Sequence, residues 1–223
     1  MMPIDQLRTD ICRVGRSLFE RGYVHGSAGN ISVRISPQLG GGILITPTDA
    51  CLGFLEPDAL AWVDDAGAQT SGQRASKTVL LHRRIYEADA RVQCVVHTHS
   101  SHLVQLGLQG VWREQEILPP ITPYFVMKVG AVPLVAYRRP GDPATADAVA
   151  QAIADAVAGG RRLRAVMLDR LGPLVWSDSP MNAMATLEEL EETARLWLAC
   201  DPRPEPLTPA QVEELQRHFP VNP

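Results

Sequence analysis

Two histidines one residue apart, His97 and His99, end the run Val92-Gln93-Cys94-Val95-Val96-His97-Thr98-His99. Its first half reads as a buried strand, and a side-chain period of two sends both imidazoles out of the same face where that strand ends. Two imidazoles on one face can grip one metal ion, although an isolated His-x-His equally suits a pair of packing histidines. His102, three residues further on, reads as helix packing rather than as a ligand. A second chemistry is anion binding. Ser76 and Lys77 precede the helical pattern Val79, Leu80, His82, Arg83 and Tyr86, where free N–H groups and the helix dipole favour a phosphate. Ser76 also suits a simple N-cap. In Gly26-Ser27-Ala28-Gly29-Asn30, small residues let backbone N–H groups approach an anion, and Asn30 and Ser32 add side-chain donors; an ordinary turn into a hairpin fits the same residues. Thr46-Pro47-Thr48-Asp49-Ala50 is a further turn at a strand end, where loops carry function.

The elements that must position these groups follow from periodicity. Ile4, Leu7, Ile11, Val14 and Leu18 put an apolar stripe on a first helix ending near Gly22. Strands are expected at Ile31–Ile35, at Ile43–Ile45 after the glycine run 40–42, and over residues 58–63. The proline-rich stretch from Pro119 should become strand-like up to Val135. Asp142-Pro143 starts an alanine-rich helix that stops at Gly159-Gly160, and residues 164–176 read as two short strands joined by a turn. Ser179-Pro180 opens a long helix, with Leu187, Leu190, Ala194 and Trp197 on its apolar side and Glu188, Glu189, Glu191 and Glu192 on a solvated one. Beyond about residue 201 the tail is proline-punctuated. There Thr208-Pro209-Ala210-Gln211 is a capping-box start, and Val212, Leu215 and Phe219 are expected to dock on another surface, such as a neighbouring subunit.

With 223 residues and a formal net charge of −4, the chain suits one domain over residues 1–223. It lacks the basic block expected of a partner for nucleic acid or anionic membrane. Neither a membrane-length apolar run nor a signal-peptide pattern is evident, so a cytoplasmic location is expected. Cys12, Cys51, Cys94 and Cys200 are scattered and read as free thiols.

Taken in order, Gly29-Asn30-Ile31-Ser32-Val33-Arg34, Ile45-Thr46-Pro47-Thr48, Ser76-Lys77, Val96-His97-Thr98-His99-Ser100 and Gly172-Pro173-Leu174-Val175-Trp176 resemble the class II aldolase/adducin family, over about Leu7 to Leu198. Within it, the run Thr122–Gly130, the stretch Tyr137-Arg138-Arg139-Pro140-Gly141-Asp142 and Ser76-Lys77 are similar to the branch that decarboxylates 3-oxo-tetronate 4-phosphates. The resemblance implies an α/β fold, three-layer α/β/α with a central, largely antiparallel sheet, a homotetramer, and a divalent metal, usually zinc. It implies that His97 and His99 are two of three metal-binding histidines, that Asn30, Thr48, Asp49, Ser76 and Lys77 hold the substrate phosphate, and that Tyr124 lies near the reacting carbons.

Two positions depart from the pattern. Leu171 stands where the third metal histidine is expected, and Thr78 where the catalytic carboxylate is expected. His102, Asp169 and Asp49 are the side chains that can stand in as a ligand, Asp169 being the most interesting. The expected activity is a metal-dependent lyase that releases carbon dioxide from a phosphorylated sugar acid and leaves dihydroxyacetone phosphate. A phosphorylated-sugar binding module or partner subunit without catalysis, and a sugar-phosphate aldolase, are the alternatives.

Overall fold

A computed structural model describes residues 3–219. Its strands are β1 (Asn30–Arg34), β2 (Ile43–Ile45), β3 (Ala61–Val63), β4 (Gln69–Ser71), β5 (Cys94–His97), β6 (Leu134–Val135), β7 (Ala165–Leu168) and β8 (Gly172–Ser177). They form one sheet in the order β4-β3-β2-β1-β5-β8-β7-β6, antiparallel at every pairing except β6 with β7. The helices are α1 (Ile4–Glu20), α2 (Val79–Ala88), α3 (Ser101–Gln109), α4 (Pro123–Lys128), α5 (Pro143–Ala158), α6 (Pro180–Ala199) and α7 (Pro209–His218).

Alternation along the strands builds two cores. Ile31, Val33, Cys94, Val96 and Val175 pack with Ile11 and Leu18 of α1, Leu103 of α3, Phe125 of α4 and Leu187 of α6. Val95, Val166, Leu174 and Trp176 pack on the other face with Ile85 of α2 and Val149 and Ile153 of α5. The expected α/β/α layering with a largely antiparallel sheet is therefore present. In β5 the same alternation puts His97 on the α2/α5 side with Val95, at the strand's end.

Four expectations change. The stretch after Pro119 is not strand-like: Thr122 Oγ1 accepts from the Phe125 N–H at 3.1 Å and Pro123 takes the first helical position, so α4 forms and leaves only β6 extended. Residues 57–59 make a 3₁₀ turn, which shortens the strand expected over 58–63 to β3. The acids of α6 are not all solvated, because Glu191 is buried and its carboxylate accepts from the N–H groups of His102 and Leu103 at 2.9 and 3.1 Å and bonds His102 Nδ1 at 2.9 Å. It caps α3 from another helix, meeting N–H groups that no turn of α3 can satisfy. Finally, the tail folds onto its own chain. Leu207 N–H donates to Pro120 O at 2.8 Å, and Leu207, Leu215 and Phe219 line a groove against Pro123 of α4. The capping box forms as expected, with Thr208 and Gln211 bonded both ways.

Candidate active site

A cavity of about 220 Å³ opens where β1 begins and β2 and β5 end, beside the starts of α2 and α5. Backbone bonds bring its loops together. Thr48 N–H donates to Arg74 O at 2.9 Å and Ser76 N–H to Thr46 O at 3.2 Å, which sets the turn after β2 against the approach to α2. Asn30, Thr48, Asp49, Ser76 and Lys77 all line the cavity. Ser76 is not the N-cap of α2; Thr78 holds that position, and Ser76 Oγ lies 2.9 Å from Thr78 Oγ1. Asp49 adopts a left-handed φ of 57°, and its carboxylate lies 3.6 Å from Lys77 Nζ. A carboxylate repels a phosphate, so the Asp49 side chain can serve an anion only by steadying Lys77.

His97 and His99 line the same cavity. They project together, with ring centroids 5.0 Å apart. His97 Nδ1 lies 2.9 Å from Pro173 O, and a carbonyl only accepts, so Nδ1 carries the proton and Nε2 presents a lone pair. Burial, with the neighbouring His99 a smaller cause, lowers the His97 pKa from 6.5 to about 4. His99 is lowered too, by burial and then by His25. Two glycines allow this closeness. A side chain at Gly29 would come within 2.8 Å of His97 O, and one at Gly172, whose φ is 120°, would run into Thr98 O.

The remaining expected residues lie elsewhere. Tyr124 is 62% exposed and faces an outer groove with Tyr23, Lys128 and Glu189. His102 is bonded to Glu191, and Asp169 is absent from the cavity lining, so neither stands in for Leu171. Two residues escaped notice as site residues, one in the lining and one buried behind it. Arg139 brings a second cation to the cavity, from the loop before α5. His82, fully buried in α2, bonds Asn30 Oδ1 through Nε2 at 2.6 Å and Ser32 Oγ through Nδ1 at 2.8 Å. Its pKa falls from 6.5 to about 3, chiefly through burial and then through His97. Its position on the buried stripe of α2, one turn before Tyr86, was the available signal.

Residues 9–198 match the model of the class II aldolase and adducin N-terminal domain. The chain belongs to the class II aldolase/adducin family. Among curated relatives, the 3-oxo-tetronate 4-phosphate decarboxylase of Cupriavidus necator is 53% identical over 199 residues, covering 89% of this chain and 87% of that protein. The protein of that name from Escherichia coli K12 is 41% identical over 212 residues, covering 94% and 95%. Among solved structures, YgbL of Escherichia coli superposes with a TM-score of 0.86 at 38% identity, over 96% of this chain and 99% of that one. An L-fuculose 1-phosphate aldolase shares the fold, with a TM-score of 0.82 at 22% identity over 96% of each chain.

Class II aldolases generally use a divalent metal. The donor set here is two imidazoles with apolar Leu171 beside them in the lining, and among the described residues no group of three His, Cys, Asp or Glu is placed to hold an ion. A catalytic zinc takes three protein ligands and keeps one position open, so the residues of this chain do not complete such a site.

Proposed function

We propose that this chain is a carbon-carbon lyase that decarboxylates a 3-oxo-tetronate 4-phosphate to dihydroxyacetone phosphate in sugar-acid breakdown. The observation that carries the reading is the convergence of Asn30, Thr48, Ser76 and Lys77 on a cavity that also holds His97 and His99. The naming of relatives up to 53% identical supports the substrate.

In this reading Lys77 and the hydroxyls of Ser76 and Thr48 hold the phosphate as charge-assisted hydrogen-bond donors. The carboxylate leaves as carbon dioxide, the C1–C2 electron pair moves into an enediolate over C2 and C3, and a proton returned to C2 gives the ketone. Donors facing the C3 oxygen lower the barrier because charge grows there. His97, neutral and with its Nε2 lone pair inward, accepts from the C2 hydroxyl. The reaction breaks its bond without removing a hydroxyl proton, which makes Thr78 in place of a carboxylate less costly than it is for an aldol cleavage. The assembly is a homotetramer acting in the cytoplasm, and Tyr124, remote from its own cavity, serves the cavity of a neighbouring protomer. Zinc is the metal proposed for the site, with His97 and His99 as its two protein ligands; with the ion bound, His97 Nε2 would serve it rather than the C2 hydroxyl.

The test is carbon dioxide release from a 3-oxo-tetronate 4-phosphate by the natural chain, run beside Thr78→Glu/Leu171→His. Turnover by the natural chain is expected. Turnover by the double variant alone overturns the reading and makes the protein a phosphorylated-sugar binder.

A further inference from the structure

The cavity wall behind Asn30 is a polar chain enclosed in the core. Tyr86 OH lies 2.8 Å from Ser32 Oγ, Ser32 Oγ lies 2.8 Å from His82 Nδ1, and His82 Nε2 lies 2.6 Å from Asn30 Oδ1. Ser32 and His82 have no exposure and Tyr86 has 5%, so each proton must find a partner inside. Three facts give the chain a direction. Asn30 Oδ1 only accepts, so Nε2 of the imidazole is the protonated nitrogen and Nδ1 is left as an acceptor. Nδ1 then takes the single proton of Ser32. Ser32 Oγ in turn accepts from the Tyr86 hydroxyl, which holds its proton because burial drives its pKa far up. The reversed chain would turn the Asn30 oxygen toward Lys77's anion site and leave the buried Tyr86 proton without Ser32 as its acceptor.

Asn30 lines the cavity, and among the described residues its Nδ2 has no protein partner. We propose that His82 is a positioning residue: the relay Tyr86→Ser32→His82→Asn30 locks the Asn30 amide with its NH₂ facing the cavity, making it an obligate donor to a ligand oxyanion. The relay rests on hydrogen-bond geometry, while its consequence for a ligand rests on the phosphate reading given above. A locked amide rejects ligands that offer a donor at that point, because two donors would then be buried face to face.

The experiment uses the full chain labelled with ¹⁵N and a long-range ¹⁵N–¹H correlation spectrum. His82 is expected as the Nε2–H tautomer, and an Nδ1–H tautomer overturns the relay whatever the activity. Binding of inorganic phosphate is then titrated. His82→Phe, which removes the donor to Asn30, is expected to weaken it roughly five- to tenfold, the worth of one hydrogen bond. His82→Gln, able both to donate to Asn30 and to accept from Ser32, should restore most of it. Natural affinity in a folded His82→Phe overturns the proposal. If His82→Phe does not fold, Ser32→Ala, which removes the proton that Nδ1 accepts, replaces it in the phosphate titration, and natural affinity there is the overturning result. A natural chain that binds no phosphate overturns the phosphate reading and the ligand consequence with it, while the tautomer still decides the relay.

Discussion

His97 donates its Nδ1 proton to the carbonyl of Pro173 at 2.9 Å. Pro173 lies two residues beyond Leu171, so β8 still orients an imidazole as a metal ligand is oriented, while the position expected to supply the third ligand carries an isobutyl group. The carbonyl that orients the imidazole is present, and the expected third donor is not. Leu171→His is therefore expected to tighten divalent-metal binding by about tenfold or more, because it restores the third protein ligand. Zinc titration against a competing chelator measures it, and equal affinity in both proteins would mean that position 171 does not reach the ion.

Lys77 carries the phosphate charge in the proposed reaction and is exposed, and among the described residues it pairs only with Asp49, at 3.6 Å. Lys77→Gln should raise KM by roughly ten- to a hundredfold, the worth of about 1.5–3 kcal/mol for a charge-assisted hydrogen bond, with little change in melting temperature. A fall in kcat at constant KM would place Lys77 at the reacting carbons instead.

Glu191 holds the start of α3, with bonds of 2.9, 2.9 and 3.1 Å from one carboxylate. Glu191→Ala is expected to lower stability by about 2–4 kcal/mol, since it strands buried N–H groups as well as removing charge-assisted bonds. Glu191→Gln keeps one acceptor and should lose less. Urea midpoints of the two variants check the order.

His82 and His97 titrate at about 3 and about 4 in the folded chain, against an ordinary 6.5. Between those values and 6.5 the unfolded chain binds protons that the native state does not, so stability is full above about pH 6.5 and is lost as pH falls. Each histidine contributes up to about 1.4 kcal/mol per pH unit to that loss. Urea unfolding from pH 7 to pH 4.5 should show it, and His82→Gln should flatten the slope. A slope unchanged by that substitution would mean that His82 takes up a proton in the native state.

Much of this molecule was legible in its sequence because local rules wrote it. The period-two run into His97 and His99 gave a strand and a shared face, and the caps at Asp142, Ser179 and Thr208 all start helices where they were expected. The failures are places where a distant partner decides. Glu191 reads as a surface acid until α3 is found to need its carboxylate. The stretch after Pro119 reads as turning strand-like, yet Pro123 opens a helix once Thr122 caps it. His82 reads as one position on an apolar stripe, and only the packing of α2 on β1 reveals Ser32 and Asn30 on either side of its ring. Tyr124 is a likeness in sequence that the fold sets on an outer groove, away from the cavity.

The pairing of β1 with β5 sets Asn30 directly opposite His97. Directly opposed residues in an antiparallel pair hold their Cβ atoms about 4.5–5.5 Å apart, a spacing fixed by backbone hydrogen bonds rather than by flexible loops. In the proposed reaction this rung sets the spacing between the amide assigned to the phosphate and the imidazole assigned to the C2 hydroxyl. On that reading a sugar acid one carbon longer between those groups would meet a spacing that the backbone holds fixed, and the sheet itself would measure chain length.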